Sequence, residues 1–195
     1  MEIRPISPVL IDDYLKLFDA AFYDNPYWVG CYCGFYDDPS EGWEPGPEEA
    51  RAHRSSKAER ITAGRAHGLL AYLEGTPVGW CNAGPKSSYV NLRHYRDVPD
   101  HPGESVGLVM CFVVHPDHRR KEVAASLLSA TDGYLASFGV TIAEAYPRAA
   151  PPEDPDVPWT AHYYKGSKDM YEKAGYRPVS QGPWFLVMQK RIALA

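Results

Sequence analysis

The chain predicts an α/β (α+β) fold in a single domain spanning residues 1–195. Apolar runs of strand length and segments of helical spacing follow one another in the order β, α, α, β, β, β, α, β, α, β, β. An apolar strand, Leu108 to Val114, runs through a short basic turn straight into a helix. No internal repeat, and no linker long enough to separate two domains, interrupts the series.

Residues 1–6 alternate polar and apolar side chains and read as a first strand. Asp12 to Phe22 reads as a helix whose apolar face is Leu15, Leu17, Phe18, Ala21 and Phe22, ended by Asn25 and Pro26. Tyr27 to Gly46 is aromatic, glycine-rich and acidic. Pro47, Glu48 and Glu49 then open a second helix, with proline at its start and acids in its first turn. Its polar composition predicts a surface helix reaching about Ala63. Gly68 to Leu73 and Val78 to Ala83 form a hairpin around Glu74-Gly75-Thr76-Pro77. Gly84 to Gly103 is a long polar loop. The central strand and basic turn come next, followed by a helix from about Glu122 to Phe138 with Gly139 as its cap. Val140 to Tyr146 is a strand, and Pro147 to Pro158, rich in proline and acid, is loop. A helix over Ser167 to Ala174 ends at Gly175, and Pro178 prevents its continuation. Strands over Arg177 to Ser180 and Trp184 to Arg191 close the chain.

The length is enough to bury a sizeable core. With 45% hydrophobic and 23% charged residues, the composition is that of a soluble globular protein. No run approaches the ~18 apolar residues of a membrane span, and the N-terminus lacks a secretory apolar stretch. A cytoplasmic protein with no membrane partner is therefore expected. A formal charge of −5, with no long basic run, argues against a nucleic-acid partner. The cysteines are Cys31, Cys33, Cys81 and Cys111. Cys31-x-Cys33 lacks the Cys-x-x-Cys knuckle of structural zinc sites, so no metal is expected. Cys81 and Cys111 stand in apolar strands and read as small core residues, and disulfides are not expected in a reducing compartment.

The chemistry-bearing segment is Cys111 to Leu128. Its turn carries Arg119, Arg120 and Lys121, and the helix after it places Val123, Leu127 and Leu128 on one face. Free N–H groups project from the first turn of a helix, its dipole favours negative charge, and the basic side chains add Coulomb attraction. Such a site suits a pyrophosphate. The spacing resembles the acyl-CoA site of the GNAT superfamily of N-acyltransferases, whose pattern is Gln/Arg-x-x-Gly-x-Gly/Ala. Arg119, Glu122 and Ala124 fall on its three positions, and Glu122 departs from the glycine of the middle one. A second signature, a helix ending Tyr-x-x-x-Gly-Phe/Tyr, is matched by Tyr171 to Tyr176. The resemblance covers roughly residues 67–191 and reaches the N-terminal strand. The Cys31-x-Cys33 pair, Glu144-Ala145-Tyr146-Pro147 and Ser167-x-x-Met170-Tyr171 together resemble a bacterial subgroup of the superfamily.

The resemblance implies a mixed, mostly antiparallel central sheet flanked by helices, with a central strand pair that splays to admit pantetheine. It implies acetyl-CoA as the cofactor, bound by the strand amides of Cys111, Phe112 and Val113 and by the turn from Arg119 through Arg120, Lys121, Glu122 and Val123 to Ala124. An oxyanion would take a hydrogen bond from the N–H of Phe112 or Val113. Tyr171 stands where many members carry the proton donor to the departing thiolate; a phenol is protonated at neutral pH. Glu144, an acid on an otherwise apolar strand, is the candidate general base; His162 and Glu104 are further candidates, and water relays the proton in many members. Homodimers are common in the superfamily.

The acceptor site is expected from Tyr27 to Trp43, from the loop after Ala83, and from Trp159 to Tyr164. Trp28, Tyr32, Tyr36, Trp43 and His162 would line it, with Asp37, Asp38, Glu41 and Glu44 among them. Aromatic faces and acids suit a cationic amine. The leading expectation is a small-molecule N-acetyltransferase acting on an antibiotic, amino sugar, polyamine or amino acid. Acetylation of a protein lysine or N-terminal amine, and acyl-CoA binding without turnover, are the alternatives.

Overall fold

The computed structural model describes residues 1–22, 28–39, 46–92, 95, 98, 100–150 and 163–193. Its strands are β1 (Glu2–Pro5), β2 (Leu69–Leu73), β3 (Thr76–Pro85), β4 (Val106–Val114), β5 (Ile142–Ala145), β6 (Arg177–Gln181) and β7 (Leu186–Arg191). The helices are α1 (Ile11–Ala20), α2 (Ala50–Thr62), α3 (Val123–Ala136) and α4 (Lys168–Lys173). All strands join one seven-stranded sheet in the order β1-β2-β3-β4-β5-β7-β6. Every neighbouring pair is antiparallel except β4 and β5, which run parallel on either side of α3.

The alternation of side chains along the strands sorts the core into two layers. Leu70, Tyr72, Trp80, Leu108 and Met110 face α1 and α2, where they meet Tyr14, Leu17, Phe18 and Ile61. Leu69, Ala71, Val78, Val109 and Phe112 face α3 and α4, where they meet Val123, Leu127, Leu128 and Tyr171. Gly79 sets the depth of this second layer. A Cβ there would stand 2.5 Å from Val123 Cγ1, so only glycine lets the start of α3 lie directly on β3.

The hairpin turn takes left-handed backbone at Glu74 and Gly75 (φ 50° and 78°), matching the right-handed twist of the strands it joins. Most boundaries shift by one to three residues from the sequence expectation, and two of the shifts bear on the site. Strand β3 continues to Pro85, because the paired length is set by β4 on its other side. Strand β5 ends at Ala145, where the chain turns away and the Pro147 carbonyl accepts from Leu186 N–H. Helix α2 is also less superficial than its composition suggests: Lys57 and Ile61 are buried. The Lys57 ammonium is paired with the Asp37 carboxylate, which makes its burial tolerable. Among the described residues, no helix is long and apolar enough to cross a membrane.

Candidate functional site

The parallel pairing of β4 with β5 stops at Val109 opposite Ala145. Beyond it β4 runs on to Val114, held on one side only, by β3. Among the described residues the other edge of β4 has no strand partner from Met110 onward. Met110 is also the extra residue of a bulge: Asn82 pairs with Cys111 and Ala83 with Val109, leaving Met110 unmatched. Bulges bend a strand and re-aim its groups. This one stands where the sheet opens, so the splay that the resemblance implies is present.

The open edge leads to the basic turn. Arg120 and Glu122 both hold left-handed backbone (φ 59° and 61°), and Glu122 is the residue that begins α3. That explains why the superfamily pattern favours glycine at this position. The Glu122 side chain is exposed. The first helical bond of α3 runs from Ser126 N–H to the Glu122 carbonyl at 2.9 Å. The amides from Arg120 to Ala125 have no backbone acceptor among the described residues, as expected of a helix start. Arg119 is committed to the protein itself. Its Nε donates to the Val114 carbonyl at 3.3 Å and its Nη2 to the Ala21 carbonyl at 3.5 Å, tying the turn to the end of β4 and to the end of α1.

Behind the open edge lies a buried lysine. Lys165 is 1% exposed. Its Nζ donates to the Tyr36 hydroxyl at 2.6 Å and to the Met110 carbonyl at 3.4 Å. The same atom lies 4.8–5.1 Å from the ring centres of Tyr36, Tyr95 and Tyr164. Burial pulls the ammonium down to about 7, against an opposing pull from the Cys111 and Cys33 thiols. Gly166 follows with φ 79°, a left-handed turn that sends the chain into α4. In α4, Ser167 caps the helix by accepting from Met170 N–H. Tyr171 is fully buried, and its hydroxyl donates to the Lys165 carbonyl at 2.8 Å. Burial raises the Tyr171 phenol well above its usual range, keeping it protonated.

Glu144 lies fully buried on β5, on the α1–α2 face. Its carboxylate accepts from the Tyr146 hydroxyl and, at 2.6 Å, from Gln189 Nε2. Lys86 Nζ stands 3.6 Å and His101 Nε2 3.8 Å from it. The Tyr146 ring stacks on Tyr95 at 4.3 Å, which joins this polar group to the tyrosines around Lys165. Glu104 is engaged elsewhere: it binds Arg191 and Thr141, and the Arg191 hydrogen bond holds its carboxyl below the usual range.

Cys33 sits on the same face. The Cys111 thiol hydrogen-bonds it and pulls it down to about 7, against burial and with help from Lys57, Asn82 and Trp80. Asn82 Nδ2 lies 3.1 Å from its sulfur. All four cysteines are free thiols. Among the described residues, no group of three or more His, Cys, Asp or Glu is placed to hold a metal.

The three segments expected to form an acceptor site do meet. Tyr36 comes from the first, Tyr95 from the second and Tyr164 from the third, and they meet on Lys165 Nζ. Trp28 packs edge-on against Tyr164 at 4.8 Å. Tyr32 is not part of this group: its hydroxyl turns to Asp19 on α1. Asp37 is bound by Lys57 and Arg60. Trp43, His162, Glu41 and Glu44 lie outside the described residues. Lys165 and Tyr95 escaped the sequence reading. The one available signal was a lysine set between aromatic residues and a glycine, Tyr163-Tyr164-Lys165-Gly166.

A sheet opened between two parallel strands, with a helix start at the mouth of the opening, is the architecture of the GNAT acyltransferases. The family model for the GNAT acetyltransferases matches residues 18–150, and the chain belongs to that family. Solved structures agree on the fold. A PaiA N-acetyltransferase from Thermoplasma acidophilum, in complex with coenzyme A, is 15% identical over 98% of this chain and 99% of its own, with a TM-score of 0.53. An aminoglycoside 6'-N-acetyltransferase complexed with coenzyme A is 16% identical over 99% of this chain and 98% of its own, with a TM-score of 0.54. An aminoglycoside 6'-N-acetyltransferase from Acinetobacter haemolyticus is 18% identical over 95% of this chain and 97% of its own, with a TM-score of 0.51. No curated protein matches the chain in sequence.

Proposed function

We propose that this protein is an acetyl-CoA-dependent N-acetyltransferase acting on a primary amine of a small molecule, by direct attack within a ternary complex. The observation that carries the reading is that the edge of β4 beyond Val109 has no strand partner among the described residues, and that the amides of residues 120–125, a few residues further on, have no backbone acceptor among them. A strand edge suits the amides of pantetheine, and a helix start beside Arg120 and Lys121 suits a pyrophosphate. The Glu122 side chain is exposed, which leaves its carboxylate room to turn away from a phosphate.

Acetyl-CoA supplies the acetyl group already activated as a thioester. The residues of this chain supply position and proton transfer. Holding both reactants in register lowers the barrier by about 7 kcal/mol where alignment is good. The N–H of Phe112 or Val113 donates to the developing oxyanion. Tyr171, kept protonated by burial, donates to the departing sulfur. Glu144, linked to the tyrosine cluster through Tyr146, accepts the proton of the amine by way of water. The acceptor approaches beside Trp28, Tyr36 and Tyr164, aromatic faces of the kind that favour a cationic group and that already hold the Lys165 ammonium.

The test is thiol release from acetyl-CoA with a panel of amines that includes aminoglycosides, polyamines and amino acids, alongside lysine-bearing peptides. Release with a small amine supports the reading. Release with peptides alone assigns the protein to protein acetylation. Tight CoA binding without release for any acceptor overturns the enzyme assignment.

A further inference from the structure

We propose that Lys165 Nζ is itself an acyl acceptor, so that the protein acetylates its own buried lysine from acetyl-CoA. This rests on the transferase reading above, and three observations lead to it. Met110 is the first residue of β4 beyond its last pairing with β5, and its carbonyl holds the Lys165 Nζ at 3.4 Å. An acyl chain laid along the open edge from the start of α3 ends at that point. The strand from Met110 to Val114 spans ~13 Å at about 3.3 Å per residue, which an extended arm follows naturally.

The second observation is the cage. Tyr36, expected to bind an external amine, joins Tyr95 and Tyr164 from the other two expected segments in surrounding the chain's own amine. The primary amine nearest the end of the open edge therefore belongs to the protein. The third is the protonation state. An amine attacks a thioester only when neutral. A lysine at its ordinary value is neutral in roughly one molecule in a few thousand at pH 7. Burial brings Lys165 down to about 7, which favours the neutral, nucleophilic amine. The groups facing it are Tyr36, Tyr95 and Tyr164 together with the Cys111 and Cys33 thiols; no carboxylate is among those that set its value.

The step balances without a further reactant. The Nζ lone pair attacks the acetyl carbonyl carbon of acetyl-CoA. A nitrogen–carbon bond forms and the carbon–sulfur bond breaks. The amine loses one proton and the thiolate gains one, leaving Nε-acetyl-Lys165 and free CoA. Tyr171, whose hydroxyl rests on the Lys165 carbonyl, is the adjacent proton donor. Acetylation would remove the ammonium and fill the cage with an amide, closing the acceptor side to an external amine.

The experiment incubates the full chain with acetyl-CoA alone, at neutral and mildly alkaline pH. Intact mass is read first, then the acetylated peptide by tandem mass spectrometry, with CoA binding measured in parallel by calorimetry. One acetyl group per chain is expected on Lys165, at least about tenfold above any exposed lysine, since the open edge of β4 delivers the thioester to it. Excess CoA should suppress it, and K165R should lack it. Acetic anhydride on the folded protein should mark exposed lysines and spare Lys165, which is 1% exposed. Bound CoA with an unmodified Lys165, or labelling spread evenly over surface lysines, overturns the proposal and leaves the transferase reading standing. Failure to bind CoA overturns both. If K165R does not fold, the peptide map of the parent protein decides alone.

Discussion

The hydroxyl of Tyr171 donates to the backbone carbonyl of Lys165 at 2.8 Å. One hydrogen bond thus joins the helix that carries the expected proton donor to the turn that carries the buried amine. The Lys165 side chain then continues to Met110 on β4. Tyr171, the Lys165 amine and the start of the sheet opening are fixed relative to one another by these two hydrogen bonds.

Tyr171→Phe is expected to lower turnover at least ~10-fold, the low end of what a positioned acid contributes. CoA affinity, read by calorimetry, should stay close to that of the parent. Loss of the hydrogen bond to Lys165 should cost about 1 kcal/mol of stability. Unchanged turnover would remove Tyr171 from the acid role.

The basic turn allows two substitutions of opposite sign. Arg119→Ala frees the turn from the Val114 and Ala21 carbonyls and should weaken CoA binding through lost preorganisation. Glu122→Gly relieves left-handed backbone (φ 61°) and should raise stability, where a left-handed non-glycine residue costs ~1 kcal/mol. It should leave CoA binding intact or tighter. Calorimetric titration and thermal melts check both, and equal CoA affinity in Arg119→Ala would show that its anchoring of the turn does not preorganise the site.

Glu144 offers a contrast between charge and shape. Glu144→Ala strands Gln189 and Tyr146 without their acceptor and should cost on the order of 2–3 kcal/mol. Glu144→Gln keeps the volume and one acceptor oxygen but removes the charge. If Glu144 accepts the amine proton, turnover falls in Glu144→Gln while the melting temperature changes less than in Glu144→Ala.

Lys165 makes stability depend on pH. Its folded value, about 7, lies below its ordinary 10.5. Between the two the unfolded chain binds the extra proton, so this group makes stability rise with pH across that window. Its burial is most costly below about pH 7, and the cost fades as pH approaches about 10. Lys165→Met should flatten that slope in urea melts from neutral to alkaline pH. Cys33, lowered from 9.0 to about 7, acts in the same direction and should account for part of what slope remains.

Much of this molecule was legible along the chain. Periodicity and turn chemistry predicted every strand and helix to within a few residues. The basic turn was legible because its pattern is local: a strand end, a run of basic residues and a helix start are consecutive in sequence. The same locality placed Gly175 as a left-handed cap, which its φ of 92° confirms. The role of the residue at 122 stayed open, since sequence shows the missing glycine but not where a glutamate side chain points.

The amino-acid sequence by itself determined the elements, their order and the acyl-CoA signatures, because propensity, capping and hydrophobic period act between neighbours. Only the tertiary structure decided which side chains meet at the sheet opening. Lys165 and Tyr36 are 129 residues apart, and Lys165 and Met110 are 55 apart. Their meeting, and the burial that brings an ordinary lysine toward neutrality, follow from the bulge at Met110 and from the end of β5 at Ala145. Both depend on how distant strands pair, which no local pattern along the chain encodes.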